Sequence, residues 1–113
     1  MRYILLAFVA VLSGPAFAAE GKGIRFWNLT SAAIVDFRLS PAGQDSWGKN
    51  QCENDPDGSV SHDERLKISD IPSGRYDAKL KDKDGRSCVV RNIGIEAGKV
   101  FSIEEKQLTD CTK

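Results

Sequence analysis

From Ile24 to Glu104 no stretch of ten residues keeps its apolar side chains at helical spacing, whereas short runs alternate apolar and polar positions and are broken every ten residues or so. A period of two places successive side chains on opposite faces of an extended chain, so this pattern specifies strands half-buried on one face. The runs are Ile24 to Leu29, Ala33 to Ser40, Leu66 to Ile71, Tyr76 to Lys81, Ser87 to Ile95 and Val100 to Glu104. Turn signals separate them: SPAG at 40–43, IPSG at 71–74, KDKDG at 81–85 and EAGK at 96–99. Glycine and proline supply the backbone angles that such reversals need. Six or seven short strands in one small domain predict an all-β fold, an antiparallel β-sandwich with Greek-key character. Only the tail, EEKQLTDC, has the composition for a short helical turn.

The first residues are of another kind. Arg2, an apolar run from Ile4 to Leu12, and Ala16-Phe17-Ala18 have the order of a secretory signal peptide with its small-residue cleavage site. The run is too short to span a bilayer, which takes roughly 20 residues. Removing residues 1–18 from the 113-residue chain leaves a single domain of 95 residues, 19–113, with nearly balanced charge. A domain of that size buries about 60–70% of its unfolded surface, so function is expected on a surface or loop rather than in an enclosed cleft. No basic run, and no basic stripe with interleaved aromatics, points to nucleic acid.

Export makes disulfide formation the expectation, but Cys52, Cys88 and Cys111 are odd in number. The expected pair is Cys88 with Cys111, which would pin the chain end and contribute about 3 kcal/mol on the loop-entropy model. Cys52 is then left over, either to pair between molecules or to stay a buried thiol.

Catalytic constellations are absent from the sequence. His62 is the single histidine, and it lies in a crowded acidic stretch with no nucleophile placed for it to activate. There is no zinc-type Cys/His spacing and no glycine-rich phosphate loop, so the chain is read as non-enzymatic. Trp27 lies in a strand of core-like composition and is assigned to packing. Trp47, in the polar segment QDSWGKNQ, is the alternative functional element, able to dock a protein or glycan partner. Asn28-Leu29-Thr30 fits the N-glycosylation triplet.

The densest chemistry is ENDPDGSVSHDE, residues 53–64, with five carboxylates in twelve positions. Against the calcium-loop template, whose ligands fall at positions 1, 3, 5, 7, 9 and 12, it aligns Glu53, Asp55, Asp57, Ser59, Ser61 and Glu64, with Gly58 at the bend and Val60 at the apolar position. A hard cation needs about six to eight converging oxygens, and a bound ion would relieve the mutual repulsion of the carboxylates. The competing reading is a plain type I turn over Asp55-Pro56-Asp57-Gly58. A second such turn, Asp82-Lys83-Asp84-Gly85, has lysines to neutralise it, whereas the first has none within its twelve residues.

The flanks read as loop and strand rather than as the helices of an EF-hand, so the ion would sit on a β scaffold, incompletely wrapped. Such an open site could be completed by a second protomer, giving a metal-bridged homodimer. Calcium binds incomplete extracellular loops only at about 10⁻⁴–10⁻³ M. A trivalent ion gains about half again as much Coulomb energy per carboxylate, which favours a lanthanide(III) ion over calcium.

Two resemblances add to this reading. The segment from Asp70 to Ile103, with its Pro-x-Gly-x-Tyr strand start and Gly-Lys turn, resembles the back half of small prealbumin-like or collagen-adhesin B-type sandwiches. RFWNLTSAAI…LSPAGQDSWGKNQ and GRSCVVRNIGI, with the acidic stretch between them, resemble the landiscernin-like family of small periplasmic lanthanide-binding proteins. That resemblance implies a periplasmic location and metal buffering or transfer, beside a lanmodulin-like lanthanide-binding partner protein. It places the ligands among Glu53, Asp55, Asp57, Asp63 and Glu64.

Overall fold

The computed structural model describes residues 22–113, so the signal-peptide expectation for 1–18 lies outside the described residues. Seven strands form two sheets: β1 Arg25–Leu29, β2 Ile34–Pro41, β3 Arg65–Lys67, β4 Gly74–Asp82, β5 Ser87–Ile95, β6 Val100–Glu104 and β7 Asp110–Thr112. One sheet has the order β3-β1-β6 and the other β2-β4-β5-β7. The small all-β sandwich expected from the alternation is therefore the fold, and the non-sequential strand orders suit Greek-key connections. Among the described residues no helix is long and apolar enough to cross a membrane.

Alternation builds the core directly. Ile24, Phe26 and Asn28 point inward from β1 and its approach, and Phe37 and Leu39 from β2; Ala78 and Leu80 do so from β4, and Phe101 and Ile103 from β6. Three phenylalanines join the sheets at the centre, with ring centroids of Phe26 and Phe37 4.1 Å apart and those of Phe26 and Phe101 5.4 Å apart. Stacked and tilted rings at these distances combine large apolar burial with favourable quadrupole contact.

Three features depart from the simple picture. The turns at 40–43, 71–74 and 96–99 are not hairpins, because the strands they follow and precede lie in different sheets; only Asp82 to Gly85 closes a hairpin, between β4 and β5. β1 and β6 pair in parallel, Phe26 opposite Phe101, while every other ladder is antiparallel. A parallel pair needs a long connection, and here β2 to β5 intervene in the chain. β3 stops at Lys67 rather than Ile71, because the Gln51 side chain takes the place of a partner strand: its Nε2 donates to the Ser69 carbonyl (3.0 Å) and its Oε1 accepts from the Ser69 amide (3.0 Å).

The tail makes the expected short turn, a 3-10 turn at Glu105–Gln107, and then adds β7, which the sequence did not suggest. Cys88 and Cys111 lie directly opposite in the β5–β7 ladder and are joined by the expected disulfide. Cys52 is a free thiol, fully buried, and burial pushes it up to about 12. Two ionic clusters brace the sheets. Buried Asp77 accepts from the amides of Gly43 (2.8 Å) and Asn92 (2.9 Å) and from Arg91, bonds that hold its carboxyl below the usual range. Arg86 joins Asp82 at 3.0 Å to Glu105 at 2.7 Å, and Glu105 also accepts from the Ser31 amide.

Candidate functional site

The 53–64 stretch is two turns separated by an anchor. Val60 is buried, and its N–H and C=O both pair with Ile34 at 2.9 Å, so the position expected to be apolar is fastened to the start of β2. Upstream, the Gln51–Asn54 3-10 turn is capped by Asn50, whose side chain accepts from the Cys52 amide, and the Asp55–Gly58 turn closes with Gly58 N–H donating to the Asp55 carbonyl at 2.9 Å. Gly58 has φ +70°, a left-handed angle that glycine adopts without strain. Downstream, Glu64 N–H donates to the Ser61 carbonyl at 3.0 Å, closing a second turn in which Asp63 has φ +70°. Aspartate is among the few side chains that tolerate this region.

Asn28 holds the two turns to the core. Its Nδ2 donates to the carbonyls of Val60 (2.9 Å) and Ala32 (3.0 Å), and its Oδ1 accepts from the amide (2.9 Å) and hydroxyl (2.7 Å) of Thr30. The residue is wholly buried, so the side chain of the glycosylation triplet is a structural latch. Its backbone continues the stitching, with Asn28 N–H donating to Glu64 O (2.9 Å) and Asp63 N–H donating to Asn28 O (2.6 Å).

Each expected ligand can now be placed. Glu53 is exposed on the 3-10 turn, and Asp57 is exposed at the tip; neither carboxylate accepts a hydrogen bond among the described residues. Asp55 is half-buried and uses Oδ2 to accept from the Asp57 amide at 2.9 Å. Glu64 is exposed and uses Oε1 to accept from the Ser61 amide at 2.8 Å. Asp63 is exposed and accepts from the indole Nε1 of Trp27 at 2.9 Å. His62, within the second turn, donates from Nδ1 to the Thr30 carbonyl at 2.7 Å. Glu53, Asp55 and Asp57 thus belong to one turn, and Asp63 and Glu64 to the other. Among the described residues no three His, Cys, Asp or Glu side chains converge as a group that could hold a metal ion.

What the loop lacks is neutralisation. Asp36, Asp45, Asp70, Asp77, Asp82, Glu96, Glu104 and Glu105 each have an ion-pair partner, whereas none of the five loop carboxylates has one among the described residues. The closest cation in sequence, Arg65, is turned onto an aromatic face instead, with its guanidinium 4.3 Å from the Trp27 ring centroid. Five like charges on twelve residues create a local negative potential that a counter-ion lowers.

Trp27 corrects an expectation. Rather than packing in the core, it is half-buried on the opposite face of β1 from Phe26, where it supports Asp63 and carries Arg65. The signal was the alternation itself: Trp27 shares its parity with exposed Arg25, not with buried Ile24 and Phe26. Trp47 is half-buried beside β4, with the Lys79 ammonium 5.3 Å from its ring centroid. Comparison of the chain with protein-family models, with curated proteins and with solved structures finds no match.

Proposed function

We propose that this is a non-catalytic, periplasmic binding protein for a hard, oxygen-loving cation, a lanthanide(III) ion with calcium as the weaker competitor, and that it buffers or hands over that ion. The observation that carries this reading is that, among the described residues, Glu53, Asp55, Asp57, Asp63 and Glu64 have no ion-pair partner, whereas most other carboxylates have one. Val60 and Asn28 fix the loop backbone, so its charges cannot spread apart at little cost. Because the carboxylates are divided between two turns, an ion held by either keeps coordination positions open. Water, a second protomer or a partner protein of the lanmodulin kind would fill them, which suits transfer better than storage.

The test is terbium luminescence on metal-free protein, since Trp27 lies against Asp63 and can sensitise an ion bound there. Emission is expected to saturate at micromolar terbium, to resist millimolar calcium, and to fall in Asp63→Asn/Glu64→Gln and in Trp27→Phe. Sedimentation with and without terbium then reports the bridged homodimer. Absence of both terbium emission and calorimetric heat would make residues 53–64 a plain pair of turns.

A further inference from the structure

The outer face of the β2-β4-β5-β7 sheet carries a row of lysines on β4, two strands away from the exposed Asp110 of β7. Alternation along β4 puts Lys79 and Lys81 outward, about 6.8 Å apart at two residues of strand rise, and Lys83 follows in the adjoining turn. None of the three has an ion-pair partner among the described residues, although Lys49, Lys99 and Lys106 each have one. Beside the lysines runs an open groove of about 230 Å³, lined by Asp36, Arg38, Lys79, Lys81 and Ser87. Asp36 is engaged by Arg38 at 2.9 Å, so the groove's acidic member is already neutralised. Arg38 also donates to the Gly48 carbonyl at 3.2 Å, which ties the loop bearing Trp47 to this face. The half-buried indole of Trp47 then stands next to the lysine row, with Lys79 over its ring.

We infer that this face binds a linear acidic saccharide, a chain of uronate-type sugars. Its carboxylates would meet Lys79, Lys81 and Lys83 in succession, while one sugar ring rests against the exposed part of Trp47 and a hydroxyl reaches Ser87. Cations in a row without carboxylate partners select a polyanion. A single aromatic at one end of that row, in a chain of zero formal net charge, fits a sugar rather than a nucleic acid, which is read by a net basic surface with several stacking aromatics. The proposal does not rest on the cation reading, because the two sites share no residue.

The experiment is isothermal titration of the chelator-treated protein with an oligogalacturonate, at about 20 mM salt where exposed charges are least screened. Binding is expected, with weakening of at least about tenfold in Lys79→Glu/Lys81→Glu and several-fold in Trp47→Ala, recovery in Trp47→Phe, and no change in Lys67→Glu, which makes the same kind of charge reversal on the other sheet. Neutral malto-oligosaccharide should give no heat. If the double glutamate variant fails to fold by circular dichroism, Lys79→Gln/Lys81→Gln takes its place with the same expected loss. No heat with oligogalacturonate, heat unchanged in the double variant, or tighter binding of single-stranded DNA or polyphosphate would each overturn the assignment.

Discussion

Replacing Asn28 by alanine should unfasten the acidic loop and remove a large part of this small domain's stability. The side chain makes four hydrogen bonds in a wholly buried position. After truncation, the Val60 carbonyl still accepts from Ile34 N–H (2.9 Å), and the Ala32 carbonyl can accept from the Thr30 hydroxyl (3.1 Å). The Thr30 amide, in a residue 1% exposed, has no other acceptor among the described residues. Two lost bonds at about 1 kcal/mol each, with one orphaned buried donor at about 1–3 kcal/mol, give a destabilisation of about 3–5 kcal/mol. For a domain of this size that is a fall of about 15–30 °C in melting temperature. Urea unfolding followed by tryptophan fluorescence would measure it, and Thr30→Val, which keeps the amide bond and removes only the hydroxyl donor, should lose about 1 kcal/mol. Hydrogen exchange adds a local readout: protection of the Val60 amide should drop more than that of strand amides in β4. A loss below about 1 kcal/mol for Asn28→Ala, or unchanged Val60 protection, would refute the latch.

Three further outcomes follow from the same geometry. Glu105 is held down to about 2 from 4.5 by Arg86 and the Ser31 amide, so its contribution is present in full above about pH 4.5 and is lost as pH falls toward 2; Glu105→Gln should be less stable at pH 7 and flatter across that window in acid titrations followed by circular dichroism. Cys52, with its thiol pushed up to about 12 and no exposure, should resist iodoacetamide at pH 8 in the folded protein and react fully in denaturant, as mass spectrometry would show. Reducing the Cys88–Cys111 bridge, which spans 23 residues, should lower stability by about 3 kcal/mol on the loop-entropy model and release β7, so that calorimetric scans with and without reductant differ while β1 to β6 stay folded.

The strands of the sandwich were legible because most of their length buries one face, and a half-buried strand must alternate; Asp77 in β4 and Ser40 in β2 are the buried exceptions. β6, Val100-Phe101-Ser102-Ile103-Glu104, shows it, with Phe101 and Ile103 buried between more exposed neighbours, whereas β1 buries the polar Asn28 and turns Trp27 outward. β7 was not legible: three residues, Asp110–Thr112, are too few to establish a period, and their pairing depends on Cys88 across the sheet. The early end of β3 was hidden for a related reason, since a glutamine eighteen residues away in the chain, Gln51, supplies the bonds that a strand would have made to Ser69. Of the candidate site, the density of carboxylates and the apolar anchor Val60 stood in the residue order. Their division into two turns did not, nor did the support of Asp63 by Trp27, because both arise from the contact of the loop with β1.

The amino-acid order alone determined the class of fold, most of the inward residues and the place of greatest negative charge, because each of these is a local property: a period, a turn residue, a count. Tertiary structure decided which carboxylates share a turn, which lysines are left without partners, and which strands meet in parallel. Those depend on side chains and strands far apart in the chain, brought together only when both sheets close over the phenylalanine cluster.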